Sequence, residues 1–289
     1  MSAMIPGPRF SESQDKIVSV RDLKYTYDGG VQALAGISLD IRQGEYVAIV
    51  GGNGSGKTTL AKNIIGLLRP TSGTISIHGK RVVDQKVATI AHLVGYAFQN
   101  PDHQLFCSTV MEEVAFGPRN LGYSQDELER RANHALEAMD LLEVRDRPPF
   151  SLTLSRRRRV SIASVIAMDP QVLILDEPTT GLDMRESDDL MASIAKLNIE
   201  GRTIVLITHD MKLVAKYARR VVVMSEGKIV LDADPAGVFS DLDALLRSKL
   251  VPPPVVRLAY RLSSFGVPRD VLSPEELVLR IMMARGEGR

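Results

Sequence analysis

The 289 residues predict an α/β fold built around a phosphate-binding loop, and three features carry that prediction. An apolar run, Tyr46–Val50, leads into the glycine-rich stretch Gly51–Thr58 and then into a helix-prone segment, Thr59–Leu68. Buried-type strands return at Val172–Leu175 and Thr203–Thr208, separated by a helical pattern from Arg185 to Leu197. The first of these strands ends in two adjacent carboxylates, Asp176 and Glu177.

A strand, a glycine loop and a helix N-terminus in that order make an anion trap. Backbone N–H groups point inward and the helix dipole favours negative charge. Gly51, Gly54 and Gly56 allow backbone angles and close approaches that a side chain would block. Lys57 has the reach for β- and γ-phosphates, and the Thr58 hydroxyl can ligate Mg²⁺. Asn53, Ser55 and Thr59 complete the residues assigned to the nucleotide. The expected ligand is a nucleoside triphosphate.

The remaining elements follow from local pattern. Ile17–Val20 and Ile37–Ile41 alternate as strands, with breaks at Gly29-Gly30 and a tight turn at Gln43–Glu45. Thr74–His78 adds another strand, so a small antiparallel layer is expected beside the nucleotide strand. From about 100 to 168 the character is helical. Ser108 and Thr109 offer a helix start, Ser124–Glu127 matches a capping box leading through Leu136 and Met139, and a third helix is expected from Arg156 to Met168. Val221–Met224 and Lys228–Leu231, split by Glu226-Gly227, read as a hairpin. Pro252–Pro254 marks a stiff junction, and Ser273 caps a last helix with Pro274 at its first position.

Composition narrows the classes. The chain is 44% hydrophobic and 25% charged, an ordinary globular balance, and its net charge of +1 gives no reason to expect a nucleic-acid partner. A single cysteine, Cys107, excludes an internal disulfide and reads as a small packing residue. No apolar stretch approaches the roughly 18 residues that span a bilayer. Residues 1–16 read as a polar, mobile lead-in without a signal core, and a membrane role is expected to come through a partner.

The catalytic residues cluster at strand ends. Asp176 is the metal-side carboxylate, holding Mg²⁺ through water, and Glu177 the group that orients or deprotonates an attacking water. His209 closes the next strand, where an imidazole can hydrogen-bond the γ-phosphate. Gln99 follows the strand pattern Val94–Phe98, and its amide can reach Mg²⁺ or the water.

With these residues in place, the chain resembles the ATP-binding-cassette (ABC) ATPases over roughly residues 17–235. Gly51–Thr58 matches Walker A, Gln99 the Q-loop, Val172–Asp176 Walker B, Gly181–Asp183 the D-loop with its Asp183, and His209 the switch histidine. The resemblance implies a P-loop cassette with a RecA-like core, an antiparallel β subdomain, a helical subdomain at about 100–168 and a C-terminal helical extension at 236–289. It also implies ATP and Mg²⁺ as cofactors. Tyr27 stands where the family stacks a ring on adenine; a half-buried strand tyrosine is the competing reading.

A narrower resemblance lies in Phe98–Phe106 and Thr109–Pro118, which look like the energy-coupling factor (ECF) transporter ATPases, cobalt and nickel importers' ATPases among them. That implies a peripheral subunit at the cytoplasmic face of the cell membrane, working with a transmembrane coupling subunit and a substrate-binding membrane subunit. The implied cargo is a vitamin or a transition-metal ion. Rival readings are a soluble ABC ATPase unconnected with transport and a weakly active regulatory ATP-binding subunit.

The pattern breaks at one place. The family signature Leu-Ser-Gly-Gly-Gln, donated in trans to a partner's nucleotide, is here Leu152, Thr153, Leu154, Ser155 and Arg156. Thr153 keeps a hydroxyl, but Leu154 and Ser155 replace glycines whose backbone must approach the γ-phosphate. A heterodimer with a second ABC ATPase subunit carrying an ordinary signature is therefore expected. Of Arg156–Arg159, which fan around a helix at about 100° per residue, Arg159 matches the family arginine; the others are expected in solvent or near phosphates at the dimer interface.

Overall fold

A computed structural model describes residues 16–285, so the lead-in expected at 1–16 lies, apart from Lys16, outside the described residues. Strands β1 (Lys16–Thr26) and β2 (Gln32–Arg42) pair antiparallel, and β3 (Tyr46–Val50) runs into the glycine loop and helix α1 (Lys57–Ile64). Next come β4 (Ser72–Ile77), β5 (Lys80–Arg81), α2 (Val87–Ala91) and β6 (Val94–Ala97). A helical layer follows: α3 (Val110–Asn120), α4 (Gln125–Ala138) and α5 (Leu154–Ile166). Strand and helix then alternate through β7 (Val172–Asp176), α6 (Met184–Ile199), β8 (Thr203–Ile207), α7 (Met211–Tyr217) and β9 (Arg220–Ser225) to β10 (Lys228–Ala233). Four α-helices close the described residues: α8 (Pro235–Ser240), α9 (Leu242–Arg247), α10 (Pro254–Arg261) and α11 (Pro274–Ala284).

The strands form two sheets. One is the antiparallel layer β2-β1-β4-β5; the other, β10-β9-β3-β8-β7-β6, is parallel from β9 to β6 with β10 as an antiparallel edge. The continuous apolar strands of the second sheet have cover on both faces, as a parallel sheet requires. Leu173, Leu175, Ile204 and Leu206 face the core shared with the helical layer, while Val172, Ile174, Val205 and Ile207 face the antiparallel sheet.

The capping chemistry differs from expectation at two helices. Ser124 accepts the Glu127 N–H, but the Glu127 carboxylate is taken by Arg130 and Arg131 instead of returning to the cap. The reciprocal box forms at Asp183 and Glu186, which open α6. Helix α5 starts at Leu154, two residues before the expected Arg156, because the Thr153 hydroxyl accepts the Arg156 N–H at 3.4 Å. Thr109 and Ser273 cap α3 and α11 as their sequences predict. Helix α1 stops at Ile64, short of the expected Leu68, with Gly66 in the left-handed region.

Beyond β10 the chain stays packed on the sheet. Val238 and Phe239 of α8, Leu245 of α9 and Leu250 join Ala48, Val50, Val221 and Val223 in one core. Helices α10 and α11 close a smaller cluster around Ala259, Val267, Val271 and Leu277. Among the described residues no helix is long and apolar enough to cross a membrane. Because Phe239 is fully buried in the sheet's own core, Phe239→Ala should cost about 3–5 kcal/mol of stability, read as a lower denaturant midpoint.

Candidate nucleotide site

The glycine loop is shaped by backbone crowding. Gly56 is the N-cap of α1, left-handed with φ 101°, and a Cβ there would run into the Ala33 carbonyl of β2. At Gly51 a Cβ would meet the Met224 carbonyl of β9 and the Ser55 side chain. No side chain caps α1, so the N–H groups of its first turn are left to an anion. Lys57 lies over the loop, its Nζ donating to the Gly51 carbonyl at 2.8 Å and the Gly52 carbonyl at 3.1 Å. Burial lowers its pKa, and the nearby charges of Glu177 and Asp176 oppose that shift.

Asp176, at the end of β7, is 2% exposed. Its Oδ2 accepts the Thr58 hydroxyl at 2.9 Å and the Tyr96 hydroxyl at 2.7 Å. Its Oδ1 is buried and has no hydrogen-bond partner among the described residues, and neither does Ser55 Oγ. Burial, followed by the Asp176 charge, raises the Tyr96 pKa and keeps that phenol a donor. A hydroxyl and a carboxylate oxygen with spare capacity fit magnesium, which uses few protein oxygens alongside phosphates and water.

Glu177 turns the chain out of β7 with φ 49°, a left-handed value that is uncommon for such a residue and marks local strain. Its Oε1 lies 2.8 Å from His209 Nδ1, and Thr208 Oγ1 donates to its Oε2 at 3.4 Å. Adjacent parallel strands β7 and β8 therefore bring the carboxylate and the imidazole together. Glu177 is buried while the imidazole is exposed, leaving the pair open on one side.

The other expected residues lie around this centre. Tyr27 stands just past β1, 41% exposed, with its hydroxyl 3.0 Å from Thr59 Oγ1 at the start of α1 and its ring against Tyr25. Gln99 is exposed, and Asn53 and Gly54 lie on the exposed side of the loop. Asp183 is occupied as the N-cap of α6. In the signature segment, Leu152 and Ser155 are buried, and Thr153 is exposed at the N-terminus of α5. Leu154 leans on the D-loop, where a Cβ on Gly181 would stand 2.9 Å from Leu154 Cδ2. Cys107 is half-buried, and burial with neighbouring Glu113 pushes its thiol up to about 11, consistent with a packing role.

One member of the arginine run, Arg158, is not placed as the sequence suggested. Arg156 pairs with Glu143 at 2.6 Å, Arg157 with Asp102 at 3.0 Å, and Arg159 donates to the Met139 carbonyl. Arg158, expected in solvent or near phosphates, is instead 3% exposed and donates to the carbonyls of Phe98, Gln99 and Thr180. It therefore ties the Gln99 loop to the loop that follows Glu177. Burial lowers its pKa, against the attraction of Asp102 and Glu177. The signal was present: Arg158, Ile162 and Val165 share the buried stripe of α5, so this arginine sits on the apolar face.

Comparison with known proteins agrees with this geometry. Residues 34–180 match the family model described as ABC transporter. The chain belongs to the ABC transporter ATP-binding family. A putative ABC transporter ATP-binding protein of Caldanaerobacter subterraneus is 46% identical over 264 residues, covering 91% of this chain and 46% of that protein. The chain thus spans about half the length of this and two further curated relatives that it matches. The energy-coupling factor transporter ATP-binding protein EcfA of Methanothermobacter thermautotrophicus is 40% identical over 263 residues, 90% of this chain and 85% of that protein. Among solved structures, cbiO1 of Clostridium perfringens, described as part of the ABC transporter complex cbiONQ, superposes with a TM-score of 0.74 at 37% identity, covering 88% of this chain and 98% of that one.

Loss of the Arg158 tie should loosen the loops and leave the phosphate cradle standing. Arg158→Met is expected to retain ATP binding while lowering kcat on the order of 10–100-fold, measured by steady-state hydrolysis beside a nucleotide titration.

Proposed function

We propose that this chain is the ATP-hydrolysing subunit of an ECF-type ABC importer, bound at the cytoplasmic face of the cell membrane through a membrane partner. The observation that carries this reading is the convergence of Lys57, Thr58, Asp176, Glu177 and His209 at the ends of β3, β7 and β8. Its likeness to EcfA and to cbiO1 supports the transport context.

The chain's residues divide the work. Loop N–H groups and Lys57 hold the β- and γ-phosphates, and Tyr27 offers an open ring face for the base. Thr58 and Asp176, with Gln99, would hold Mg²⁺, which would supply charge neutralisation on the phosphoryl group. Glu177, held by His209, orients the attacking water and accepts its proton, and the exposed imidazole edge faces the γ-phosphate. Glu177→Gln should lower hydrolysis by about 10²–10⁴-fold while ATP binding persists, in a phosphate-release assay run beside a nucleotide titration.

The substituted signature makes the active unit an asymmetric heterodimer. Leu154 fills the space over Gly181 at the α5 N-terminus, crowding the approach of a partner's triphosphate. Losing one preorganised donor there costs about 3 kcal/mol in the transition state. This chain's own pocket, completed by an ordinary signature from a sister cassette, then becomes the hydrolytic site. The purified chain alone should turn over ATP at least about 100-fold more slowly than the mixed pair. Equal rates for the two would defeat the heterodimer. Cargo in this reading is a vitamin or transition-metal ion, captured by a separate membrane subunit.

A further inference from the structure

The last turn of α9 touches the phosphate loop, and it does so through a residue in a costly conformation. The Lys249 N–H donates to the Leu246 carbonyl and the Leu250 N–H to the Leu245 carbonyl, each at 3.0 Å. Leu245 and Leu250 pack together in the core behind the turn. In this type of helix ending the left-handed position is usually glycine, because it has no Cβ to clash. Here it is Lys249, with φ 58°. A lysine kept in that conformation points to a task for its side chain.

That side chain lies on Gly52. A Cβ built at Gly52 would stand 3.2 Å from Lys249 Cβ and 3.6 Å from Lys249 Cδ. The Ser248 carbonyl accepts the Gly52 N–H at 3.2 Å. The Gly52 carbonyl accepts in turn from Lys57 Nζ at 3.1 Å. Gly52 is thus gripped at its amide by the C-terminal extension and at its carbonyl by the phosphate-binding lysine. Its lack of a side chain serves close approach, since its own backbone is not left-handed.

We infer that Ser248 and Lys249 are positioning residues of the nucleotide site, holding Gly52 and so aiming Lys57 before a triphosphate arrives. The inference rests on the nucleotide reading above and extends the site beyond the residues that touch phosphate. The Ser248 carbonyl supplies direction and the Lys249 stem excludes water from the Gly52 face; the ammonium itself is dispensable. A loop residue ordered in advance spares the ordering entropy that binding otherwise pays.

Calorimetric titration of the full chain with the non-hydrolysable analogue AMP-PNP and Mg²⁺, beside thermal unfolding without nucleotide, separates this role from simple packing. Lys249→Gly should melt no lower than wild type, because glycine relieves the left-handed turn, yet bind AMP-PNP about tenfold more weakly. Lys249→Met, which keeps the stem and loses the charge, should bind like wild type. Wild-type affinity in Lys249→Gly overturns the inference. So does a Lys249→Met variant as weak as Lys249→Gly, which would make the charge the agent, or a Lys249→Gly variant that melts below wild type. A wild-type chain that binds no AMP-PNP defeats the nucleotide reading itself, and the inference with it.

Discussion

The structure turns on the hydrogen bond from Thr58 to Asp176. It joins the first turn of α1 to the end of β7, residues 118 positions apart in sequence, with β8 lying between the strands that carry them. Asp176 is buried and Thr58 half-buried, so the contact gains strength from the low local polarity, which makes an unpaired oxygen costly. Asp176 keeps such an oxygen, Oδ1, buried and without a partner among the described residues. A hard cation beside bound phosphates would satisfy it, which is why the pair reads as a site in waiting and not as a stitch between two elements.

Around that bond the sheet enforces the rest. Parallel strands place their C-terminal ends on one edge, and the loops leaving β3, β7 and β8 meet there without further arrangement. Burial on both faces holds the strands in register, because a one-residue slip would exchange two different cores. Among the left-handed non-glycine positions of the described residues, two lie beside the chemistry. Glu177 leaves its strand in a left-handed conformation, and Lys249 ends α9 in another, both beside the nucleotide loop or the carboxylates.

The helical layer reaches the same centre through Arg158. A buried guanidinium that donates to three carbonyls, while its Nε has no hydrogen-bond partner among the described residues, is an expensive way to hold two loops together. It bonds both the Gln99 loop and the segment after Glu177 to α5. The signature segment at the head of that same helix therefore sits on an element bonded to the loop that follows Glu177.

Much of this was legible in the chain. Tyr46–Thr58, Val172–Glu177 and Thr203–His209 carry their meaning locally: apolar runs demand a covered sheet, glycines mark backbone crowding, and a carboxylate ending a buried strand has few innocent uses. The capping signals at Thr109 and Ser273 are local too, since each cap is a bond within one turn. What local pattern could not supply is contact between distant segments. Four consecutive arginines look alike in sequence, and only the packing of α5 against the Gln99 loop singles out Arg158. Nothing near Gly52 announces that Ser248 and Lys249 will close over it. Chemistry within a turn is set by neighbours along the chain, whereas aim and restraint are set by neighbours in space, and those exist only once the sheet has gathered them.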